Sequence, residues 1–362
     1  MSGRRYVHVR GAFADRDSVA AARFLVSLLD QRLRHGLPAR RRAGRLRAFA
    51  ARTGIPVGVA AAMLRRLRAR RRPEIDRLLD EVAAAGLADP PLSAAGLEAR
   101  AGLTVFVIAG ATPVLVAKLP GDAARLEHEA RALGEAARAN AAPRYLGRAG
   151  AAYVQEAVAG VALPVTGDLH WLTAHAQAAA ALARLASVTR TAIMPEQLRE
   201  PLTTDGLSSF ARRAVEAAER DLRGLRVAVL QHADTSPQNC LVRDGRFAGF
   251  VDWEQARFAG SPGFDVWNLA VASLEHRVGT SRWSDERLLE AFRSAWTSSP
   301  FFREARQAAR NAAVAAGTRE SLLDPLEVAF FTRRLIVRRR DPLRFPTGPL
   351  VAARMVEIVC GR

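Results

Sequence analysis

The apolar residues in the first part of the chain recur at helical spacing. Asp17 or Ser18 can cap a helix through Leu33, in which apolar residues return every three or four positions. The same spacing predicts further helices over 43–53 and 57–71. We therefore expect the N-terminal part of the chain to be helical.

A fourth helix is predicted after Pro73, because proline is favoured in the first turn of a helix. Its apolar face comprises Ile75, Leu78, Leu79 and Val82. Residues 88–93, ADPPLS, have the composition of a linker. The pattern then changes, since the β-rich runs Leu103–Ile108 and Val114–Leu119 flank the turn AGATP and predict a β-hairpin.

The rest of the chain mixes short strands with longer amphipathic helices. Strands are predicted at Tyr145–Leu146, Ala152–Val158, Val227–Leu230, Cys240–Val242 and Phe247–Val251. Helices are predicted at 122–138, Asp168–Val188, Leu207–Leu222 and through most of the chain after Phe264. The turn signal Arg243-Asp244-Gly245 joins the last two strands into a second hairpin. This order of elements predicts an α+β fold.

The overall composition is that of an ordinary globular protein, with 49% hydrophobic and 25% charged residues, which excludes disordered and collagen-like chains. Two cysteines cannot form a disulfide framework. The start of the sequence lacks the apolar core of a signal peptide, and no run reaches the ~18 apolar residues of a membrane span. We therefore expect a soluble, cytoplasmic protein.

The positive charge is concentrated at the N-terminus. Residues 1–95 carry 20 arginines and 8 acidic residues, a net charge of +12 out of the total of +18. This asymmetry predicts a separate Arg-rich helical segment. Within it, residues 46–70 have the look of a helix-turn-helix, in which four arginines could contact DNA phosphates: Arg65, Arg66, Arg68 and Arg70. The alternative is a small helical bundle with solvated arginines, and the role of the segment stays unassigned.

The residues most suggestive of chemistry lie in the segment 231–255. Asp234 precedes Asn239 by five residues, and Asp252 follows the second hairpin. If Arg243 pairs with Arg246 across the turn, Asp252 lies opposite Pro237, between Asp234 and Asn239. Two carboxylates and an amide oxygen form the hard-oxygen set that Mg²⁺ prefers. The alternative is that all three are loop caps or strand-end residues.

This spacing suits phosphoryl transfer. An Asp can accept the proton of a substrate hydroxyl while an Asn five residues later and a second Asp hold the metal. The motifs HADTSPQN and FVDWE resemble those of the aminoglycoside phosphotransferase and choline kinase-like families, which share the protein-kinase fold. The resemblance implies Asp234 as catalytic base, Asn239 and Asp252 as Mg²⁺ ligands, and ATP as phosphate donor. One departure is Ala233, where these families usually have glycine; a positive φ there would cost alanine about 1 kcal/mol or more.

Lys118 is the single lysine among 54 basic residues, and it ends the apolar run VLVAK. Glu129 follows Leu126 by three residues and so lies on the apolar face of the predicted helix, whereas Glu127, the alternative partner, faces further away. In a kinase, a strand lysine held by a helix glutamate grips the α- and β-phosphates. The alternative is a strand-end surface lysine.

The segment YVQEAVAG, 153–160, resembles the hinge between the lobes of these families. The resemblance implies that the backbone near four residues binds the adenine edge: Gln155, Glu156, Ala157 and Val158. An ordinary edge strand and turn is the alternative. Asp265, at the start of a helix, is expected to brace the catalytic loop, and His232 to orient the loop backbone.

The resemblance implies an α+β, two-lobed protein-kinase-like fold. The Arg-rich segment would occupy 1–95, the small β-rich lobe and hinge 96–160, and the mostly helical lobe, with the catalytic loop and acceptor-binding region, 161–362. The expected partners are a nucleotide and a small hydroxylated acceptor such as a sugar, antibiotic or other metabolite. The abundance of arginine after Asp265 favours a neutral or anionic acceptor. The rival hypothesis is a degenerate kinase-fold binding or regulatory protein with a nucleic-acid-binding N-terminal segment.

Overall fold

The computed structural model describes residues 5–9, 12–15, 17–21, 24, 69–99, 102–158, 160–163, 168–193, 202–278, 285–340 and 349–361. The chain divides into two compact units. The first comprises Met1–Gly134 and Pro143–Ala159, and the second comprises Glu135–Ala142 and Gly160–Arg362.

The first unit is built on an eight-stranded sheet in the order β3-β1-β2-β4-β5-β6-β8-β7, in which every pairing is antiparallel. The strands are β1 Arg5–Val9, β2 Ala12–Asp15, β3 Ala69–Arg71, β4 Leu92–Ala99, β5 Gly102–Ala109, β6 Thr112–Pro120, β7 Tyr145–Ala149 and β8 Ala152–Glu156. Helix α1, Pro73–Ala84, lies between β3 and β4 in the chain, and α2, Ala123–Arg138, follows β6. The predicted β5–β6 hairpin is confirmed.

Each face of this sheet has its own apolar cluster, because successive side chains along a strand point to opposite faces. The larger cluster packs against α1 and includes Phe13, Ala94 and Val107. The smaller one contains the next residue of each strand, Ala14, Ala95 and Ile108. The predicted apolar face of α1 is confirmed, since all four of its residues are buried: Ile75, Leu78, Leu79 and Val82.

The N-terminal part of the chain is not wholly helical. Strands β1 and β2 lie before the first predicted helix, in a segment expected to be helical overall. Strand β3 replaces the end of the helix predicted over 57–71, and β4 begins inside the expected linker 88–93. Pairing of β2 with β4 attaches these strands to the central hairpin, a long-range contact that local spacing does not reveal. The Ser18 cap is confirmed, because its Oγ accepts a hydrogen bond from the N–H of Ala21, 3.1 Å away.

Several N-terminal predictions lie outside the described residues. They are the helix beyond residue 24, the helix over 43–53, and the part of the helix-turn-helix that precedes residue 69, with Arg65, Arg66 and Arg68. Arg70 lies in β3 and pairs with Tyr6, so the predicted second helix does not extend through it.

The second unit is mainly helical. Its helices are α3 Asp168–Val188, α4 Ser209–Leu222, α5 Phe264–Val278, α6 Asp285–Ser298, α7 Pro300–Ala315, α8 Leu323–Arg340 and α9 Pro349–Cys360. Its strands are β9 Val161–Ala162, β10 Thr191–Ala192, β11 Val227–Gln231, β12 Cys240–Arg243, β13 Arg246–Phe250 and β14 Arg257–Gly260. They form two three-stranded antiparallel sheets, β10-β11-β14 and β13-β12-β9.

Aromatic rings hold the helices of the second unit together. Trp267 of α5 packs on Trp296 of α6 at 5.7 Å, and Trp296 meets Phe331 of α8 edge-on at 5.3 Å between ring centroids. This packing fixes α5 next to α8, which matters for the site described below. The expected α+β class is confirmed, with a β-rich unit and a mainly helical unit. No helix within the described ranges has the length and apolar character to cross a membrane.

Gly96 in β4 is predicted to be essential for the first unit. A Cβ there would lie 2.3 Å from the carbonyl oxygen of Thr104 and 2.5 Å from the Phe13 ring, so Gly96→Ala should lower the free energy of unfolding by about 1–3 kcal/mol. Gly134→Ala in α2 is the control; its Cβ would meet nothing closer than 4.0 Å, and stability should stay equal or rise by up to about 1 kcal/mol. Urea denaturation followed by circular dichroism measures both, and equal effects would contradict this packing.

Candidate active site

The loop between β11 and β12, residues 232–239, is fixed by a buried carboxylate. The N–H groups of His232 and Ala233 donate to the two carboxylate oxygens of Asp265, at 2.7 and 3.0 Å. Asp265 lies in the first turn of α5 and is buried. Burial raises the pKa of Asp265 to about 6, although the two N–H groups act in the opposite direction. Asp265 therefore braces the loop from below, as predicted from its position.

The ring of His232 ties the same loop to the segment before Asp252. Its Nδ1 accepts from the N–H of Asp234 at 3.2 Å, and Nε2 lies 2.9 Å from the carbonyl oxygen of Val251. A nitrogen that accepts from a backbone N–H carries no proton, so Nε2 is the donor to Val251. The ring thus links the backbone of Asp234 to the backbone of Val251, which is the loop-orienting role expected for His232.

Asp234 and Asn239 are brought together within the loop. The side-chain nitrogen of Asn239 donates to the backbone oxygen of Asp234 at 3.0 Å and to its Oδ2 at 3.2 Å. Because the Asn239 nitrogen faces Asp234, its side-chain oxygen is directed away from that carboxylate. The N–H of Val251 donates to the backbone oxygen of Asn239 at 2.9 Å, which brings Asp252 alongside.

The predicted register of the second hairpin is right near the turn and off by one residue beyond it. Arg243 pairs with Arg246 as expected, but Cys240 pairs with Phe250, because a bulge lies between Leu241 and Val242. An extra residue on one strand shifts all later partners by one. Continued from there, Asp252 comes opposite Gln238 rather than Pro237, one position nearer to Asn239.

Two residues of the site adopt left-handed backbone conformations. Ala233 has φ of 63°, and Asp252 has φ of 69° and ψ of 61°. Residues other than glycine pay for this conformation, and such strain is concentrated at functional sites. Alanine therefore occupies a position with a positive φ, where the resembling families usually have glycine.

The donors at this site fit Mg²⁺. Asn239 and Asp252 supply an amide oxygen and a carboxylate, which are ligands for a hard cation. Within the described part of the chain, no group of three or more His, Cys, Asp or Glu side chains could hold a metal ion. A cation held by Asn239 and Asp252 would complete its shell with water and phosphate oxygens, as Mg²⁺ does in phosphoryl-transfer enzymes.

In the first unit, Lys118 and Glu129 form an ion pair. Lys118 on β6 stands between Thr104 and Tyr153 in the sheet, with its Nζ 6.0 Å from the centre of the Tyr153 ring. Its Nζ contacts Oε1 of Glu129 on α2, whose side chain is only 8% exposed. The alternative partner Glu127 is 66% exposed and pairs with Arg148 instead. The structure thus selects Glu129.

The segment predicted as a hinge ends β8 and has few unused N–H groups. The N–H of Glu156 donates to the carbonyl of Arg144, and that of Ala157 to the carbonyl of Val114. Gln155 pairs within the sheet on both sides, with Val116 and Tyr145. Val158 follows these residues beyond the end of β8.

Two polar residues near the loop went unpredicted. The hydroxyl of Thr235 donates to the backbone oxygen of Asp265 at 2.7 Å, and Asn268 donates to that hydroxyl at 3.4 Å. Asn268 follows Asp265 by three residues in α5, so it lies on the same helix face. That spacing is the signal by which it could have been found.

Ala233→Gly is predicted to raise the free energy of unfolding by up to about 1 kcal/mol, because glycine adopts a positive φ without the steric cost of Cβ. The matched control is Ala111→Gly in the exposed β5–β6 turn, where φ is not positive and stability should fall by about 0.5–1 kcal/mol. Denaturant titration compares the two variants. A loss of stability in both would argue against strain at Ala233.

Residues 63–310 match the phosphotransferase enzyme family, APH. The curated proteins include no match. Among solved structures, the chain is similar to the macrolide 2′-phosphotransferase MphH from Brachybacterium faecium, with 20% identity over 77% of this chain and 98% of that one and a TM-score of 0.44.

Two other solved structures show comparable similarity. A choline/ethanolamine kinase family protein from Mesorhizobium loti is 18% identical over 80% of this chain and 100% of that one, with a TM-score of 0.38. An aminoglycoside phosphotransferase from Streptomyces rimosus, in complex with ADP and streptomycin, is 18% identical over 67% of this chain and 98% of that one, with a TM-score of 0.36.

The family match spans both units of the structure, from the end of the N-terminal segment to α7. It includes the Lys118–Glu129 pair and the loop that carries Asp234 and Asn239. The expected two-lobed kinase-like fold is confirmed. Because residues 63–310 are more than half of the 362-residue chain, the protein belongs to the phosphotransferase enzyme family.

Proposed function

We propose that the protein is an ATP- and Mg²⁺-dependent kinase that transfers the γ-phosphate of ATP to a hydroxyl group of a small molecule. The observation that carries this proposal is the Asp234–Asn239 pair, held on a loop that is braced by Asp265, in a chain of the phosphotransferase enzyme family. A phosphoryl-transfer site needs positioned carboxylates and oxygen donors and no covalent nucleophile from the protein.

Asp234 is the proposed catalytic base. Its carboxylate would accept the proton of the acceptor hydroxyl as that oxygen bonds to the γ-phosphorus and the bond to the leaving ADP breaks. The hydrogen bond from Asn239 to Oδ2 fixes the rotation of this carboxylate. The N–H groups bound to Asp265 fix the backbone just before it. Both constraints reduce the freedom that a general base would otherwise lose on reaching its reactive position.

Asn239 and Asp252 are the proposed Mg²⁺ ligands. When bound, Mg²⁺ supplies positive charge that offsets the charge on the β- and γ-phosphates. The protein side of the site offers one neutral and one charged oxygen donor. Asp252 follows β13 in a left-handed conformation, and the hydrogen bond from the N–H of Val251 to the backbone oxygen of Asn239 joins the two segments that carry these donors.

Lys118 would contact the α- and β-phosphates, with Glu129 holding its ammonium in place. An ammonium is a compact point charge, whereas a guanidinium is a wide planar fork. The chain has 53 arginines and this one lysine, and a requirement for a compact ammonium at the phosphates would explain why lysine stands at this position. The backbone near Gln155, Glu156, Ala157 and Val158 would meet the adenine edge.

The proposed acceptor is a small hydroxylated molecule such as a sugar, antibiotic or other metabolite. A neutral or anionic acceptor is favoured over a polycation, because arginines outnumber acidic residues in the chain after Asp265. A cationic acceptor would be repelled by a net positive charge in the region expected to bind it.

The direct test is consumption of ATP in the presence of Mg²⁺ across a panel of hydroxylated metabolites and antibiotics. Asp234→Asn should lower the rate with the active acceptor by at least about 100-fold, because it removes the base while keeping the side-chain shape. Asp244→Asn is the matched control. Asp244 lies exposed at the hairpin turn with φ of 52°, which asparagine also tolerates, so its rate should equal that of the wild type.

A thermal-shift titration with MgATP separates the possible outcomes. Stabilisation without transfer to any acceptor would favour the rival binding or regulatory protein. No stabilisation at millimolar MgATP would contradict nucleotide binding itself, since a ligand that binds the folded state raises its stability by mass action.

Lys118→Arg is predicted to lower kcat/KM for ATP by about tenfold or more, because a guanidinium cannot take the same position between Glu129 and a phosphate. Retained charge and length should leave the unfolding free energy nearly unchanged. The reciprocal control is Arg148→Lys, which alters an exposed pair with Glu127 and should not change ATP use. A Lys118→Arg enzyme with wild-type kinetics would show that Lys118 is a strand-end surface residue.

A further inference from the structure

One face of α5 carries a stripe of polar side chains that runs beneath the catalytic loop. Asp265 binds the start of the loop. One turn later, Asn268 reaches Thr235. Near the end of the helix, the ring of His276 lies 3.3 Å from the side-chain nitrogen of Gln238, beside Asn239. The loop is thus supported at both ends by one helix.

Arg334 of α8 donates hydrogen bonds to this face of α5. Its two terminal nitrogens reach different turns of α5: one donates to the side-chain oxygen of Asn268 at 3.1 Å, and the other donates to Oε2 of Glu275. Glu275 also accepts from Arg338 at 3.2 and 3.3 Å. A planar guanidinium is suited to bridge two acceptors in this way, whereas an ammonium cannot hold both in one plane.

The direction of the hydrogen bonds follows from the chemistry of Arg334. A guanidinium only donates, so the oxygen of Asn268 must face Arg334 and its nitrogen must face Thr235. The hydroxyl of Thr235 receives that bond and gives its own proton to the backbone oxygen of Asp265. Arg334 therefore sets the direction of a series of hydrogen bonds that runs through Asn268 and Thr235. Thr235 follows Asp234, and the series ends at the backbone oxygen of Asp265.

Burial makes this chain sensitive to the loss of any member. Thr235 is fully buried, Glu275 is 7% exposed and the side chain of Arg334 is 11% exposed. Burial, with a smaller part from neighbouring Arg334, lowers the pKa of Arg338 to about 10, and Glu275 acts in the opposite direction. Removal of Arg334 would take this donor from the side-chain oxygen of Asn268. The amide could then rotate, which would break its hydrogen bond to Thr235.

We propose that Arg334 is a positioning residue for the catalytic loop, acting through Asn268 and Thr235 to hold the backbone around Asp234. The role of Asp234 as base rests on the proposed function, but the mechanical link does not. Arg339 on the same helix contacts Thr203 and the backbone of Asp205 instead, so it takes no part in these hydrogen bonds to the loop.

Amide hydrogen exchange of the loop, measured by mass spectrometry on the full-length protein without ligand, tests the link. Arg334→Met should speed exchange in peptides covering 231–240 by about tenfold or more, while peptides of α3 exchange as in the wild type. Arg334→Lys, which keeps a donor, should fall between the two. Arg339→Met is the matched control and should leave the loop unchanged. Equal acceleration in loop and α3, or none, overturns the proposal.

Thr235→Val provides a second variant if Arg334→Met does not fold. It removes the hydroxyl at the other end of the chain with little change of volume, and it should accelerate the same loop peptides. An unchanged loop in a folded Thr235→Val protein likewise overturns the link.

Kinetics with an active acceptor give the functional readout. Arg334→Met should lower kcat by about 10- to 100-fold, because small displacements of a catalytic group are costly, with the KM values for ATP and acceptor changing less than about threefold. A raised acceptor KM with unchanged kcat would assign Arg334 to acceptor binding and overturn the proposal. Absence of transfer by the wild type contradicts only the proposed function, because loop exchange is measured without substrate.

Discussion

The carboxylate of Asp265 is the contact on which the candidate site depends. Its two oxygens accept the N–H groups of His232 and Ala233, one bond each, immediately before Asp234. A buried carboxylate is costly unless it is satisfied, and these bonds satisfy it while holding a left-handed residue in place. Burial raises the pKa of Asp265, and the two N–H groups that stabilise its charged form are the ones that the carboxylate holds in place.

Several further hydrogen bonds constrain the loop. The His232 ring joins it to Val251, Asn239 turns back on Asp234, and Thr235 reaches α5. Each bond contributes about 0.5–1.5 kcal/mol in general, and together they restrict the backbone around Asp234. Such preorganisation is what phosphoryl transfer requires, since the protein contributes position and charge.

The sequence was informative where local pattern and chemistry coincide. The turn Arg243-Asp244-Gly245 and the spacing of Asp234, Asn239 and Asp252 placed three polar groups at one end of a hairpin, and the structure keeps them there. The apolar face of α1 and the position of Glu129 on α2 also followed from helical periodicity. The strands β1 to β4 did not, because β1 pairs with β3 and β2 pairs with β4, and these partners are distant in the chain.

From the sequence alone, motif spacing and side-chain periodicity indicated the family, the α+β class and a set of candidate site residues, because both are local properties. The finer relations depend on the fold. A bulge shifted the hairpin register so that Cys240 pairs with Phe250, the exposed Glu127 pairs with Arg148 and leaves Glu129 to Lys118, and the packing of α8 on α5 brought Arg334 to Asn268. Bulges, exposure and helix contacts arise from long-range packing, which no single segment of sequence encodes.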